Sequence, residues 1–258
     1  MVRIAYRTSL AFFLPVVLAL VWWYASAGST NFYAPPLRTI LSVFPDTWFG
    51  ERMTTDVLPS LVRLLAGYLV ALAVGIALGT AIGLRPTLRA FLEPVLEFLR
   101  AIPPPVLVPI LVLVAGIGNT MKVLVIISGC LWPVLLNTVE GVRAVDEVLA
   151  DTCRTYRIRG RLRWWHLVLR SASPQIVTGA RQALSVGIIL MVISEMFAAS
   201  SGLGYTVIQF KDGFQIPEMW SGVILLGLLG VLLSVLFRLA ERRVLGWYHG
   251  SHAVAKER

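Results

Sequence analysis

Residues 61–84 read LVRLLAGYLVALAVGIALGTAIGL, and this stretch decides the class of the protein. A helix needs about 20 mainly apolar residues to cross the hydrocarbon core of a bilayer. The stretch meets that requirement, with Arg63 as its only charged residue. Five other stretches are similarly apolar. The six predicted spans, numbered in chain order, cover residues 10–27, 61–84, 91–114, 123–139, 175–199 and 220–240.

The composition of the whole chain supports a membrane protein. Of its 258 residues, 57% are hydrophobic and 14% are charged, and the mean hydropathy is +0.77. A typical soluble domain is about 45–50% apolar and about 25% charged. We therefore exclude a disordered chain, a disulfide scaffold and an ordinary soluble enzyme. We predict an all-α integral membrane protein with about six transmembrane helices, forming one domain over residues 1–258.

The positions of the 23 lysines and arginines predict the orientation of the spans. Six spans place both termini on one side of the membrane. If that side is the cytoplasm, the inner segments hold 16 of the 23 cations when Arg238, near the inner end of the sixth span, is counted with them, and the outer segments hold four, Arg38, Arg52, Lys122 and Lys211. Cytoplasmic loops are enriched in lysine and arginine, so we predict cytoplasmic termini. The net charge of +9 then reflects topology, and we expect no nucleic-acid partner.

The first span has two interpretations. Its basic start, its apolar middle and the small residues Ala25, Ser26 and Ala27 resemble a cleaved signal peptide. However, the apolar run is long and ends in Trp22, Trp23 and Tyr24, which is typical of an aromatic belt at a membrane surface. We favour an uncleaved span.

Residues 140–173 form the longest polar stretch, between the fourth and fifth spans. Apolar and aromatic residues recur in it at helical spacing, among seven arginines. Asp146 can cap the start of a helix, and Gly160 can end one. We predict one or two short amphipathic helices at the cytoplasmic surface, which dock a partner. The alternative is that the arginines only anchor the loop to lipid headgroups.

Two features inside the predicted spans are candidates for a translocation path or gate. Glu195 is an ionisable residue in the fifth span, where such groups usually face protein or water. The alternative is that it simply reaches water from the outer end of its helix. Pro103, Pro104 and Pro105 cannot continue a regular helix. A broken helix in a membrane lines a cavity or packs on protein, so the alternative for the prolines is a packing kink.

Other polar and small residues in the spans have structural interpretations. Glu93, Glu97 and Arg100 share one helix face, and we expect them to pair with each other or with other helices. Gly75, Gly79 and Gly83 recur at every fourth position, which predicts close packing against a second helix.

Motifs for catalysis are absent from the sequence. The phosphate loop GxxxxGK[ST] does not occur, because the chain has no Gly-Lys pair. Neither GxSxG nor HExxH occurs. Cys130 lies in an apolar stretch and Cys153 in a basic loop, so we expect neither a disulfide nor a metal site. The chain is therefore not expected to be an enzyme or to carry a cofactor.

Several runs of residues match a known family in its own order. They include FLRAIPP (98–104), GIGN (116–119), NT (137–138), SPQI (173–176), GAR (179–181), SEM (194–196) and GLG (202–204). The chain resembles the membrane subunit of a bacterial ATP-binding-cassette importer, in the branch of permeases for nitrate, sulfonate, taurine, bicarbonate and thiamine-precursor uptake. The matches cover most of residues 60–245, which we take as the core of the domain. Met196 belongs to one of the runs and joins Pro103, Pro104 and Glu195 as a candidate path or gate residue.

The family's signature loop, through which the ATPase docks, matches this chain only in part. Its spacing, Glu-Ala-Ala, three residues, Gly, nine residues and Ile-x-Leu-Pro, places the family's glycine at Arg157 and its proline at Arg170. Arginine serves poorly in a turn that needs positive φ, so we expect the turn to move to Gly160. The residues that the resemblance assigns to ATPase coupling are Asp151, Thr152, Cys153, Arg154, Thr155, Tyr156, Arg157, Ile158, Arg159 and Gly160.

The resemblance also implies partners and a location. We expect a multi-pass protein of the bacterial inner membrane that forms the translocation pathway for a small polar or anionic solute. Two ATP-binding-cassette ATPases would bind ATP and Mg²⁺, and an extracytoplasmic binding protein would deliver the solute. We expect a second permease chain, identical or homologous, and favour a heterodimer whose other member keeps the regular glycine and proline.

Two other functions remain as alternatives. A secondary transporter would act without an ATPase, but it usually shows an internal repeat, and the two halves of this chain show none. An integral-membrane transferase would need convergent polar groups on its short loops, and the sequence has no such cluster. The sequence does not specify the solute.

Overall fold

The computed structural model describes residues 2–197 and 199–246, and the regular elements in that part of the chain are all helical. They form eleven α-helices, which are, in chain order, α1 (Val2–Ser26), α2 (Leu37–Trp48), α3 (Leu58–Gly83), α4 (Pro86–Ala101), α5 (Val108–Ala115), α6 (Asn119–Arg143), α7 (Glu147–Thr155), α8 (Gly160–Arg163), α9 (Arg170–Phe197), α10 (Leu203–Asp212) and α11 (Ile216–Val244). Three short helical segments lead directly into α3, α5 and α9, namely Met53–Val57, Pro104–Leu107 and Trp164–Leu169.

Four helical stretches are long and apolar enough to cross a membrane, namely Met53–Gly83, Asn119–Arg143, Gly160–Phe197 and Ile216–Val244. They contain or closely match the second, fourth, fifth and sixth predicted spans. The third predicted span is a broken one, because α4 and the helix from Pro104 to Ala115 meet at 82°. Part of the first is the shorter apolar helix Phe13–Ser26. The all-α membrane class is therefore confirmed. Lys256 and Arg258, two of the predicted cytoplasmic cations, lie outside the described residues.

The centre of the protein is formed by α3, α6 and α9. A methyl group on Gly75, Gly79 or Gly83 of α3 would lie within 2.8 Å of a side chain of α6, in each case the one 59 positions later in the sequence. Because this offset is constant along both helices, α3 and α6 run parallel. Those side chains are Val134, Thr138 and Val142. This confirms the predicted packing stripe, because the missing side chains let two backbones approach each other closely.

Helix α9 runs antiparallel to the other two core helices. Gly179 lies against the backbone of Pro133, and Gly187 lies against Cys130, near the middle of α6. The start of α3, the start of α6 and the end of α9 therefore meet at one end of the core. If the positive charges face the cytoplasm, this is the outer end. Helices α2, α10 and α11 also contact each other there, around the fully buried Trp48, whose Nε1 donates to Ser221 Oγ at 2.8 Å.

Candidate functional site

The long polar loop forms the short helices that its pattern predicts. Asp146 caps α7, with Oδ1 accepting a hydrogen bond from the backbone N–H of Leu149 at 2.9 Å. The carboxylate of Asp146 thus satisfies one of the unpaired amides that every helix start exposes. Helix α7 has no buried residues. Within it, Ala150 and Cys153 are half-buried on one side, and the other residues are exposed and free to contact a partner.

The turn after α7 stays at Arg157, so the expectation that it moves to Gly160 is wrong. Arg157 has a φ of +53° and is the first residue beyond the helix cap. The N–H of Ile158 donates to the carbonyl of Cys153 at 2.8 Å, and that of Arg157 donates to Arg154 at 3.0 Å. This is the Schellman pattern, in which a left-handed residue closes the last turn of a helix. Arg157 occupies the position of the family's glycine without being one, and Gly160, with a φ of +59°, adds a second left-handed residue.

Arg170 replaces the family's proline in a continuous helix. The stretch Gly160–Phe197 is a single helical segment of 38 residues that contains α8, the Trp164–Leu169 segment and α9. The backbone N–H of Arg170 donates to the carbonyl of Leu167. Proline has no N–H and would remove this bond. The substitution therefore joins the loop to the fifth span without a break.

The ten residues assigned to ATPase coupling form one exposed segment at the end of α7 and the start of α8. Two of its apolar side chains are exposed, Tyr156 at 76% and Ile158 at 37%. Val168 faces the other way and packs with Val142 and Ala172, and Leu167 beside it is also buried. The loop is thus amphipathic, with one side on the spans and another side available to a partner, as a docking element requires.

Pro103 and Pro104 lie at the break between α4 and α5. Helix α4 ends at Ala101, and the chain passes through extended backbone at Ile102 and Pro103 before it becomes helical again. Pro104 lies beside Gly129 of α6 and Val186 of α9. The broken span therefore contacts two of the three core helices near the middle of the membrane.

On the faces of α4, Arg100 pairs with Glu97 at 2.6 Å and Arg89 pairs with Glu93 at 3.6 Å.

Glu195 is fully buried and paired, so it does not reach water from the end of α9. Its carboxylate lies 2.7 Å from Nη1 of Arg63, which is itself almost entirely buried. Ser60 Oγ lies 2.8 Å from both carboxylate oxygens, and the N–H of Gly204 donates to one of them at 3.1 Å. Met196, the next residue, is 40% exposed and faces a different environment.

Arg63 connects three segments of the chain. Its Nε donates to Asn119 Oδ1 at the start of α6, at 2.8 Å. Its two terminal nitrogens donate to the carbonyl and to the hydroxyl of Ser201, at 3.1 and 3.0 Å. The guanidinium group therefore joins α3, α6 and the loop after α9 in one network. We refer to Asp56, Ser60, Arg63, Asn119, Glu195 and Ser201 as the outer network.

The loop from Ser201 to Gly204 fits closely over the carboxylate. Asp56 Oδ1 accepts a hydrogen bond from the N–H of Gly202 at 2.9 Å. Gly202 has a φ of +120°, and a side chain there would lie about 2.5 Å from the carboxyl carbon of Glu195. Only glycine suits this position, both for its backbone conformation and for its contact. The GLG run at 202–204 is thus part of the structure that covers Glu195.

Lys122 was predicted in an outer segment, but the structure buries it in the first turn of α6. It is 3% exposed and lies within electrostatic reach of both Arg63 and Glu195. With Asp56, the region contains two carboxylates and two cations. Sequence reasoning missed Asp56, Ser60 and Lys122. A signal was present, since Arg63 and Glu195 are opposite charges in two predicted spans, and such groups need partners.

The comparisons with known proteins agree with this architecture. Residues 71–246 match the family model described as the binding-protein-dependent transport system inner membrane component. The chain belongs to this family. It is 32% identical to a putative aliphatic sulfonates transport permease of Escherichia coli, over 93% of this chain and 92% of that protein.

Two further relatives are permeases for other solutes. A taurine transport system permease of Escherichia coli is 29% identical over 90% of this chain and 87% of its own length. A nitrate import permease of Synechococcus elongatus is 27% identical over 75% of this chain and 73% of its own length. The protein is thus a permease subunit of an ATP-binding-cassette importer in the inner membrane. ATP hydrolysis belongs to separate subunits, so this chain is not an enzyme, and the two alternative functions are excluded.

The outer network generates a prediction about stability. Arg63→Gln leaves Glu195 buried without its counter-ion, and we expect a loss of about 3–5 kcal/mol of unfolding free energy. Because the two groups interact directly, adding Glu195→Gln should cost less than the sum of the single changes. Thermal unfolding of the purified protein in detergent measures this. Strictly additive losses would show that the two side chains do not stabilise each other.

The matched control for this measurement is Arg154→Gln. Arg154 pairs with Asp151 at 2.8 Å, a similar distance, but the two side chains are 72% and 66% exposed. Exposed ion pairs contribute only about 0–1 kcal/mol. The control should therefore leave the unfolding temperature almost unchanged.

The left-handed turn generates a second prediction. A non-glycine residue in this conformation costs about 1–2 kcal/mol, so Arg157→Gly should stabilise the end of α7 by about 1 kcal/mol. Hydrogen exchange of residues 153–158 should slow, since the amides of Arg157 and Ile158 close the turn. Arg159→Gly is the control, because Arg159 has extended backbone with a φ of −129°. Equal exchange in the two variants would contradict the assigned strain.

Proposed function

We propose that this permease conducts a small oxyanion, such as a sulfonate, that an external binding protein delivers. The relatives named above are permeases for sulfonates, taurine and nitrate, and all of these solutes carry an anionic group built from oxygen atoms around a central atom. The sulfonate permease covers nearly all of this chain. That full-length similarity is the observation on which the proposed solute class rests.

We propose that residues 151–160 dock the ATPase and transmit its movement. The exposed apolar side chains of Tyr156 and Ile158 favour a protein contact, since the segment lies outside the spans. The helix from Gly160 to Phe197 joins this segment to the core without interruption. Movement of the loop with an ATPase would therefore displace α9 as a rigid body. The arginines around the loop favour the cytoplasmic side, and we propose that both termini lie there as well.

The complex that we propose contains two permease chains, each a single membrane domain, and two ATPases that bind ATP and Mg²⁺. We favour two different permeases. In a homodimer both coupling loops would contain Arg157 in its unfavourable conformation, whereas a heterodimer would contain it once. The second permease would then have glycine and proline at the positions of Arg157 and Arg170.

The coupling proposal is tested with Tyr156→Asp and Ile158→Asp in the complete transporter. A carboxylate in an apolar contact loses its hydration, so docking should weaken by several kcal/mol. We expect sulfonate uptake into proteoliposomes to fall by at least about tenfold, which corresponds to about 1.4 kcal/mol. Loaded binding protein should no longer stimulate ATP hydrolysis. Tyr156→Phe and Ile158→Val keep the apolar contact and are the controls. Normal stimulation in both aspartate variants would place the docking surface elsewhere.

The composition of the complex is tested by purifying it with every permease encoded nearby. Mass measurement in detergent should give two permease chains and two ATPases, with two permease species present. A single species at two copies would reject the heterodimer and keep the dimer. One permease chain per active complex would contradict the dimer itself.

A further inference from the structure

Helix α9 has a polar face at membrane depth that the protomer does not cover. Gln175, Thr178, Gln182 and Ser185 are spaced three, four and three residues apart, which places them on one face of the helix. All four are exposed. The fifth predicted span begins at residue 175, so at about 1.5 Å per residue Gln182 and Ser185 lie about 11 and about 15 Å inside it. We refer to these four residues as the polar face.

This face differs from the exposed surface of the neighbouring span. Between residues 228 and 239 of α11, the exposed polar side chains are Ser234 and Arg238, and most of the other exposed side chains are aliphatic, namely Leu228, Val231, Leu232, Val235, Leu236 and Leu239. Aliphatic side chains suit contact with lipid. An amide or hydroxyl without a partner in hydrocarbon costs several kcal/mol, so the polar face is unsuited to lipid. Either water or another protein surface must cover it.

Two charged or polar contacts border the polar face. On one side, Asn137 Nδ2 of α6 donates to Gln182 Oε1 at 3.3 Å and to the carbonyl of Pro133 at 2.8 Å. On the other side, Arg181 pairs with Glu241 of α11. The face thus lies between α6 and α11, and the charges next to it neutralise each other.

The broken span lies beyond the outer end of the polar face. Ser185 is followed by Val186, which lies with Pro104 beside Gly129 of α6. Farther out along the same face, the exposed residues are Ile189 and Met196, which are apolar. The polar character therefore ends at the level where α4 and α5 are interrupted.

The hydrogen bonds of the polar face show which groups remain available. Thr178 Oγ1 donates to the carbonyl of Pro174 at 2.9 Å, so its proton is used within the helix. Gln182 accepts from Asn137 through Oε1, which leaves the two N–H groups of Nε2 as donors. In the part of the chain that the structure describes, Ser185 makes no hydrogen bond through its hydroxyl. Gln182 and Ser185 thus present donors one turn apart.

We propose that the polar face of α9 lines the solute pathway and that Gln182 and Ser185 donate hydrogen bonds to the oxygen atoms of a passing oxyanion. Neutral donors replace part of the hydration of an anion without holding it as strongly as an unpaired arginine would. A pathway needs such weak binding, because the solute must leave as readily as it enters. The solute class rests on the proposed function. The position of the pathway rests on the exposure and bonding of α9.

Cysteine accessibility in the complete transporter tests the position of the pathway. Gln182→Cys and Ser185→Cys are treated with a membrane-impermeant methanethiosulfonate that carries a sulfonate group, and the modified cysteine is identified by peptide mass. Leu232→Cys on the aliphatic face of α11 is the control. We expect both test positions to react at least about tenfold faster than the control. The thiolate is the reactive form of cysteine, and a thiol ionises far more readily in contact with water than in contact with lipid. A sulfonate substrate should slow their reaction. Reaction as slow as the control would show that lipid or a second permease covers the face, and would overturn the proposal.

Transport measurements test the donor role. Gln182→Leu removes a donor, and uptake of the sulfonate should fall by about tenfold or more, as expected for a lost hydrogen bond to a charged group. Ser234→Val removes an exposed hydroxyl of α11 that lies outside the polar face, and it should change uptake by less than about twofold. Equal uptake by the two variants would overturn the donor assignment. If the unmodified complex transports no sulfonate, the solute class fails, whereas the labelling contrast between positions 182 and 232 still tests the pathway.

Discussion

The ion pair between Arg63 and Glu195 is the interaction on which the outer end of the core depends. Both groups are buried, so each charge is stable there only while the other is present. The additional hydrogen bonds from Arg63 to Asn119 and Ser201 satisfy donors that a single carboxylate could not. Compared with apolar side chains of the same size, such a pair adds little net stability. Its effect is geometric, because only one arrangement of three chain segments satisfies every group.

The same helix carries the buried carboxylate and the cytoplasmic loop at its two ends. The stretch Gly160–Phe197 would be about 57 Å long if straight, at 1.5 Å per residue. Arg170 contributes to this continuity, since its backbone N–H takes part in the helix where the family's proline could not. The two departures from the family loop therefore act differently. Arg157 adds strain to a turn that is still formed, and Arg170 removes an interruption.

The sequence predicts much of this fold because hydrophobic length and local capping act over short distances. The apolar stretches, the cap at Asp146 and the glycine stripe of α3 all depend on neighbours within a few turns. The pairing of Glu195 with Arg63 was missed, although both charges lie in predicted spans, because the two residues are 132 positions apart and no local pattern links them. The 82° angle of the broken span depends on packing against α6 and α9, although the prolines predict the break itself. The expectation for Arg157 was wrong because the preference for glycine is a free-energy difference of about 1–2 kcal/mol, which the bonds that close the turn can outweigh.

The distribution of polar groups over the core suits the proposed movement of an oxyanion along α9. An exposed, unpaired cation on the pathway would bind an oxyanion strongly and slow its release, and an exposed carboxylate would repel it. In the described residues, Arg63, Lys122 and Glu195 are buried away from the surface of α9, and Arg181 at its edge is paired with Glu241. The groups that remain exposed on the polar face are amides and hydroxyls. Charge thus fixes the outer end of the core, whereas neutral side chains remain available to the solute along α9.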